Sequence, residues 1–205
     1  MSLVFSICKK ILKNSFQKVS CYFLVSLCLI SPICAQEILR LNIDGSLSGS
    51  IDIFLNDEIA PKHVERIRRL TNDRKYDGIV FHRVIPGFMA QTGDVKFGNI
   101  SNLDYNLVGM GGSDYPMLEQ EFSDGSFEKG TVGMARASDP NSANSQFFIM
   151  FEPAPHLNGK YTIIGEVVDG MDTVLGIKKG TAANNGAVES PDYIVKAELV
   201  KIEKK

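Results

Sequence analysis

The chain has no tryptophan, and its four cysteines, Cys8, Cys21, Cys28 and Cys34, all precede Ala35. Past that point there is no thiol. A disulfide framework, a thiolate metal site and a cysteine nucleophile are therefore excluded from most of the chain. Histidine is nearly as scarce. His63, His82 and His156 stand far apart, with no paired spacing that would make a zinc-type ligand set. Neither sign of charge dominates: 22 Lys and Arg stand against 24 Asp and Glu, a net charge of -2. Nucleic acid is thus not an expected partner. Internal repeats are absent, and so is a pair of carboxylates suited to glycoside chemistry. Gly45-Ser46-Leu47-Ser48-Gly49 has a leucine where a nucleophile elbow needs its serine. Gly109-Met110-Gly111-Gly112 meets neither the P-loop nor the dinucleotide spacing. What survives is chemistry without metal, thiol or cofactor.

The cysteine-bearing segment has a character of its own. Lys9, Lys10, Lys13 and Lys18 precede an apolar run over residues 22–33, with no acidic residue before Glu37 and a small residue at Ala35. That is the form of an export signal, and the run is short for a membrane-spanning helix. The expected organisation is a signal peptide at 1–35 and one domain at 36–205. The product would be periplasmic or secreted, without stable membrane contact after cleavage. Tethering through an uncleaved N-terminal segment is the alternative. A lipoprotein signal at Cys34 is disfavoured, because Pro32-Ile33 lacks the small residue expected beside a lipidated cysteine.

Along the domain, residues 38–43 and 50–55 read as a hairpin around Asp44-Gly45-Ser46. Pro61 opens a helix whose Val64, Ile67 and Leu70 face away from Lys62, Glu65, Arg66 and Arg69. His63 on that helix is expected to be solvated or capping. Residues 95–116, rich in Gly, Asn, Ser and Asp, read as a long surface loop. Strands follow at 130–135, 145–150 and 162–168, then a short helix at 171–177. A flexible Gly/Ala/Asn segment at 180–187 leads to a last strand at 194–202. Many short strands separated by turns predict an antiparallel barrel or sandwich.

Residues 81–94 carry the chemistry. Val80, His82 and Val84 alternate with Phe81, Arg83 and Ile85, so a strand sends the two sets to opposite faces. Pro86-Gly87 turns the chain, and a second strand puts Phe88, Ala90 and Thr92 on one face and Met89 and Gln91 on the other. Phe81, Val84, Phe88 and Met89 also fit ordinary core. Arg83 inside such a run does not, because a buried guanidinium needs partners.

These motifs closely resemble the signature of the cyclophilin-type peptidyl-prolyl isomerases. So do Gly130-Thr131-Val132-Gly133-Met134-Ala135, Ser145-Gln146-Phe147-Phe148-Ile149 and Leu157-Asn158-Gly159-Lys160-Tyr161. The resemblance implies a mainly β fold, a closed eight-stranded antiparallel barrel capped by two α-helices. It implies an enzyme that isomerises X-Pro bonds in unfolded or newly exported polypeptides, working as a monomer without metal or cofactor. A non-catalytic proline-peptide-binding chaperone or adaptor is the alternative. Matched position by position, the catalytic pair is Arg83 and Gln91, and the proline pocket is Phe88, Met89, Phe148 and Leu157. His82, Ala135, Arg136, Ala137 and Gln146 line the neighbouring groove. His156 and Tyr161 also border the site, with Trp and His common at their respective positions. Arg136 stands where Asn is common and Thr92 where Gly is common.

Overall fold

The computed structural model describes residues 35–203. The expected signal segment lies, up to residue 34, outside them. Alternation fixes the first hairpin. In β1 (Ala35–Asp44) and β2 (Gly49–Leu55), Leu39 pairs with Ile53 and Leu41 with Ile51, and all four side chains enter the main core. On the opposite face Arg40 meets its register partner Asp52 in two bonds of 2.7 Å. Hydrophobic and ionic cross-strand pairs thus select the same register.

The helix α1 (Pro61–Asn72) follows, with Pro61 in its first turn and Val64, Ile67 and Leu70 buried against the sheet. Ala60 cannot cap it. Instead the carboxylate of Glu121, far along the chain, accepts the backbone N–H groups of Lys62 (3.2 Å) and His63 (3.1 Å). The ring of His63 donates its Nδ1–H to the same carboxylate at 2.7 Å and is fully buried. The expectation of a solvated His63 fails for that reason: Glu121 draws it inward.

Six further strands complete the sheet: β3 (Arg83–Ile85), β4 (Met89–Thr92), β5 (Thr131–Met134), β6 (Phe147–Met150), β7 (Ile163–Asp169) and β8 (Tyr193–Glu203). Their order is β3-β4-β6-β5-β7-β2-β1-β8. A second short helix, α2 (Met171–Gly176), follows β7. The mainly β, antiparallel, two-helix architecture matches the sequence reading, but the closed barrel does not. The sheet is open, a half-barrel whose ends are β3 and β8. Closure would need a continuous ladder between them, and β3 has only three residues before the Pro86-Gly87 turn. Its outer edge is taken by an irregular loop instead. The N–H of Val84 donates to Gly186 O (2.8 Å), Gly180 N–H to Val84 O (2.9 Å) and Val188 N–H to His82 O (3.1 Å). Between β8 and the chain before β3 there is one isolated bridge, Val80–Tyr193.

The 95–116 loop is less free than its composition suggests. Asp94 is fully buried, and its carboxylate accepts Lys96 and Phe97 N–H through one oxygen, Gly109 and Gly111 N–H through the other. Both ends of the loop are therefore stapled to one charge. Farther on, Arg69 lies 4.2 Å and Arg66 5.1 Å from the Tyr115 ring centre, tying the loop to α1. Among the described residues no helix is long and apolar enough to cross a membrane.

Gly165 is opposite Leu55 in β2 and Val132 in β5. A Cβ there would lie 1.9 Å from Phe54 O. Gly165→Ala is expected to destabilise the protein by about 3 kcal/mol, since only backbone displacement can relieve the clash. Chemical denaturation checks this, and an unchanged midpoint would disprove it.

Candidate active site

Register across the sheet assembles the site. Arg83 is paired with Gln91, Gln91 with Phe148, and Phe148 with Gly133, so their side-chain positions form one row over β3, β4, β6 and β5. The next row is Ile85, Met89 and Met150. Between them run Val84, Ala90, Ile149 and Val132, which point to the opposite face and belong to the main core. The alternation expected for Arg83, Met89 and Gln91 is therefore realised. Phe88 departs from its expected face: it precedes β4, within the turn, and packs with Met89 rather than beside Ala90.

Gly133 lets this face carry large rings. A Cβ there would stand 2.6 Å from both Phe127 and Phe148, whose rings stack with centres 5.7 Å apart. The Tyr161 ring meets Phe148 edge-on at 5.9 Å, and the Arg136 guanidinium covers Tyr161 at 4.4 Å. Phe148, Tyr161 and Arg136 border a pocket of about 180 Å³. Phe88, Met89, Phe148 and Leu157 form its apolar walls, while Arg83 and Gln91 stand on its polar side. Ala135 borders it too.

Arg83 is held without a counter-charge. Its Nε–H donates to Asn185 O (3.0 Å), Nη2 to Asn185 Oδ1 (3.1 Å) and Nη1 to Gln91 Oε1 (3.2 Å). All three acceptors are neutral oxygens. Among the described residues it forms no ion pair. Burial lowers its pKa from the ordinary arginine value, which is so high that the group stays charged. Gln91 is itself fixed. Gln146 directs its amide N–H bonds at the carbonyls of Gly109 (2.9 Å) and Gly111 (2.8 Å), which can only accept. Its oxygen must then accept from Gln91 Nε2 (2.9 Å), leaving the Gln91 oxygen for Arg83. The relay has one polarity, set by the loop stapled to Asp94.

A second cavity of about 380 Å³ adjoins the pocket and shares Gln91, Ala135 and Arg136 with it. Ala137 and Gln146 line it as expected, and Met110, Met117 and Asn144 line it without having been singled out in the sequence. Two expected residues are not among those lining either cavity. His156 stacks on Phe88 with ring centres 5.7 Å apart and is exposed above the pocket. His82 is buried behind the row, under Gly109, with neither ring nitrogen in bonding geometry with a protein partner. Burial pushes its pKa down to about 4, against the pull of Asp94. Asn185 was missed altogether. The composition of residues 180–187 suggests mobility, and no local pattern reveals a contact with β3. No cluster of metal-ligating side chains occurs among the described residues.

Comparison with known proteins identifies the family. A family model described as "Cyclophilin type peptidyl-prolyl cis-trans isomerase/CLD" matches residues 38–199. A probable peptidyl-prolyl cis-trans isomerase of Brucella suis biovar 1 is 59% identical over 152 residues, covering 74% of this chain and 78% of its own. Peptidyl-prolyl cis-trans isomerase B of Bacillus subtilis is 37% identical over 142 residues, 69% of this chain and 92% of its own. The crystal structure of the cyclophilin AquaCyp293 from Hirschia baltica is similar with a TM-score of 0.64 at 26% identity. That match covers 78% of this chain and 73% of that one.

Buried neutral histidines make stability depend on pH. His82 and His63 both have folded pKa values depressed by burial, His63 against the opposing pull of Glu121. The unfolded chain therefore binds more protons below the ordinary histidine value of about 6.5, and the stability present above it is lost as pH falls. His82 alone should remove about 2 kcal/mol by pH 5. Urea denaturation between pH 7.5 and 5 tests this, with His82→Gln expected to flatten the slope. An unchanged slope in the variant would count against it.

Proposed function

The chain belongs to the cyclophilin-type peptidyl-prolyl cis-trans isomerases, enzymes that accelerate rotation about X-Pro bonds in proline-containing peptides, and from that premise we propose that Arg83 is its catalytic group. The observation that supports this is a guanidinium held by three neutral oxygens on the polar side of a ring-sized pocket whose apolar walls are Phe88, Met89, Phe148 and Leu157. The alternative of a binding module without activity gives way to the family membership.

The peptide bond resists rotation by about 18–20 kcal/mol because twisting it destroys amide resonance. In the twisted state the prolyl nitrogen recovers its lone pair and becomes a hydrogen-bond acceptor, which it is not in the planar amide. Arg83 has five N–H bonds, of which three are engaged, so two remain for the substrate. A donor that meets the nitrogen only after it pyramidalises stabilises the transition state and not the ground state. Phe88, Met89, Phe148 and Leu157 hold the proline ring while the carbonyl side turns. The pocket also keeps out water, whose solvation favours the planar dipole. Gln91 fixes the guanidinium, and the larger groove receives the neighbouring substrate residues against Ala135, Arg136, Ala137 and Gln146.

Arg83→Ala is expected to lower kcat/KM roughly 10²- to 10³-fold, the loss typical of one transition-state donor. The fold should survive, since Arg83 lies outside the core. A protease-coupled assay on a short X-Pro peptide, with thermal unfolding as control, measures both. A folded variant with near-native turnover would remove Arg83 from this role.

The Lys-rich start, the apolar run over residues 22–33 and Ala35 support export, and with it action on unfolded or newly exported polypeptides. Protein recovered from the native host should begin near Gln36 by mass spectrometry, and a soluble cytoplasmic form retaining Met1 would refute it.

A further inference from the structure

We infer that Asn185 is a positioning residue for Arg83, and that the loop carrying it is part of the isomerase machinery. This rests on the role of Arg83 given above. Asn185 occupies the guanidinium from one side with two acceptors, its own carbonyl on Nε and its side-chain oxygen on Nη2. Gln91 supplies only one. Without Asn185 the guanidinium would keep a single tether and could turn about its side-chain torsions.

The backbone around Asn185 is built for this contact. Its φ is 52°, in the left-handed region, which Asn tolerates better than most residues. That conformation turns both its carbonyl and its carboxamide oxygen toward the same partner. The flanking chain is fixed to itself and to β3. Gly186 and Asn184 donate to Thr181 O at 2.9 and 3.2 Å, and Val84 N–H donates to Gly186 O at 2.8 Å. Gly186 could not carry a side chain, since a Cβ would lie 2.5 Å from Ile85. The loop is thus seated on the strand that bears Arg83, and the two acceptors are fixed relative to it.

Neutral acceptors matter as much as their position. A carboxylate at the same place would hold the guanidinium at least as firmly but would offset its charge, weakening its attraction for the prolyl lone pair. A carboxamide and a peptide carbonyl fix the group and leave the charge available.

Asn185→Gly tests the inference in the full-length chain. Glycine accepts the left-handed φ and keeps the backbone carbonyl, so the loop should remain folded and only the Nη2 bond is lost. On a short X-Pro peptide, kcat should fall roughly tenfold, because small misplacements of a catalytic group are costly. KM should change by less than about twofold, because the proline pocket is untouched. The loss should vanish in the Arg83→Ala background, where there is no guanidinium left to position. NMR of the Arg83 guanidinium should show faster rotation of its Nη2 amino group in Asn185→Gly. An unchanged kcat, or an equal loss in the Arg83→Ala background, would overturn the role of Asn185 while leaving that of Arg83 intact. Near-native activity of Arg83→Ala itself would instead remove the premise, and the role of Asn185 with it.

Discussion

A half-buried cation with no anion beside it is the condition around which this fold is arranged. Removing a charge from water is costly, and the usual remedy is an opposite charge. Here three neutral oxygens take its place, and each depends on other parts of the chain. The Gln91 oxygen is oriented by Gln146, which is oriented by two carbonyls of a loop held by the buried Asp94. The Asn185 oxygens are oriented by a loop bonded to β3. Distant segments therefore contribute to one guanidinium, and the strands between them keep those segments in register.

The same economy governs the apolar side. The row Arg83, Gln91, Phe148 and Gly133 alternates large, medium and absent side chains, so two stacked rings fit where a β-carbon would have excluded them. Because the neighbouring row faces the main core, each strand contributes to site and core at once. That is why a handful of short strands can build a pocket without a separate supporting layer.

What the sequence made legible was whatever depends on period two. The alternation around Arg83, Met89 and Gln91 assigned their face, and turn residues located both ends of the hairpin. What it hid was contact at long range. His63 read as solvated or capping on a helical pattern, yet it is buried against Glu121, 58 positions away. Asn185 is 102 positions from Arg83, inside a segment whose composition suggests only mobility. Phe88 was assigned to the wrong side because alternation was continued through a turn, where it no longer applies. Barrel closure was implied by the resemblance and not by the residue patterns, which fit a barrel or a sandwich alike. Strands can be counted from patterns, but whether the two ends of the sheet, here β3 and β8, meet depends on what else competes for their edge groups.

That competition has a consequence for a protein that handles extended backbone. An open sheet presents a row of unpaired N–H and C=O groups, to which another extended chain can add itself as a strand. At the β3 end those groups are committed to the chain's own 180–188 segment. A polypeptide lying in the groove beside Arg83 finds donors for one bond, but at this end no vacant ladder to join. The edge nearest Arg83 is therefore closed to strand addition by the chain's own loop.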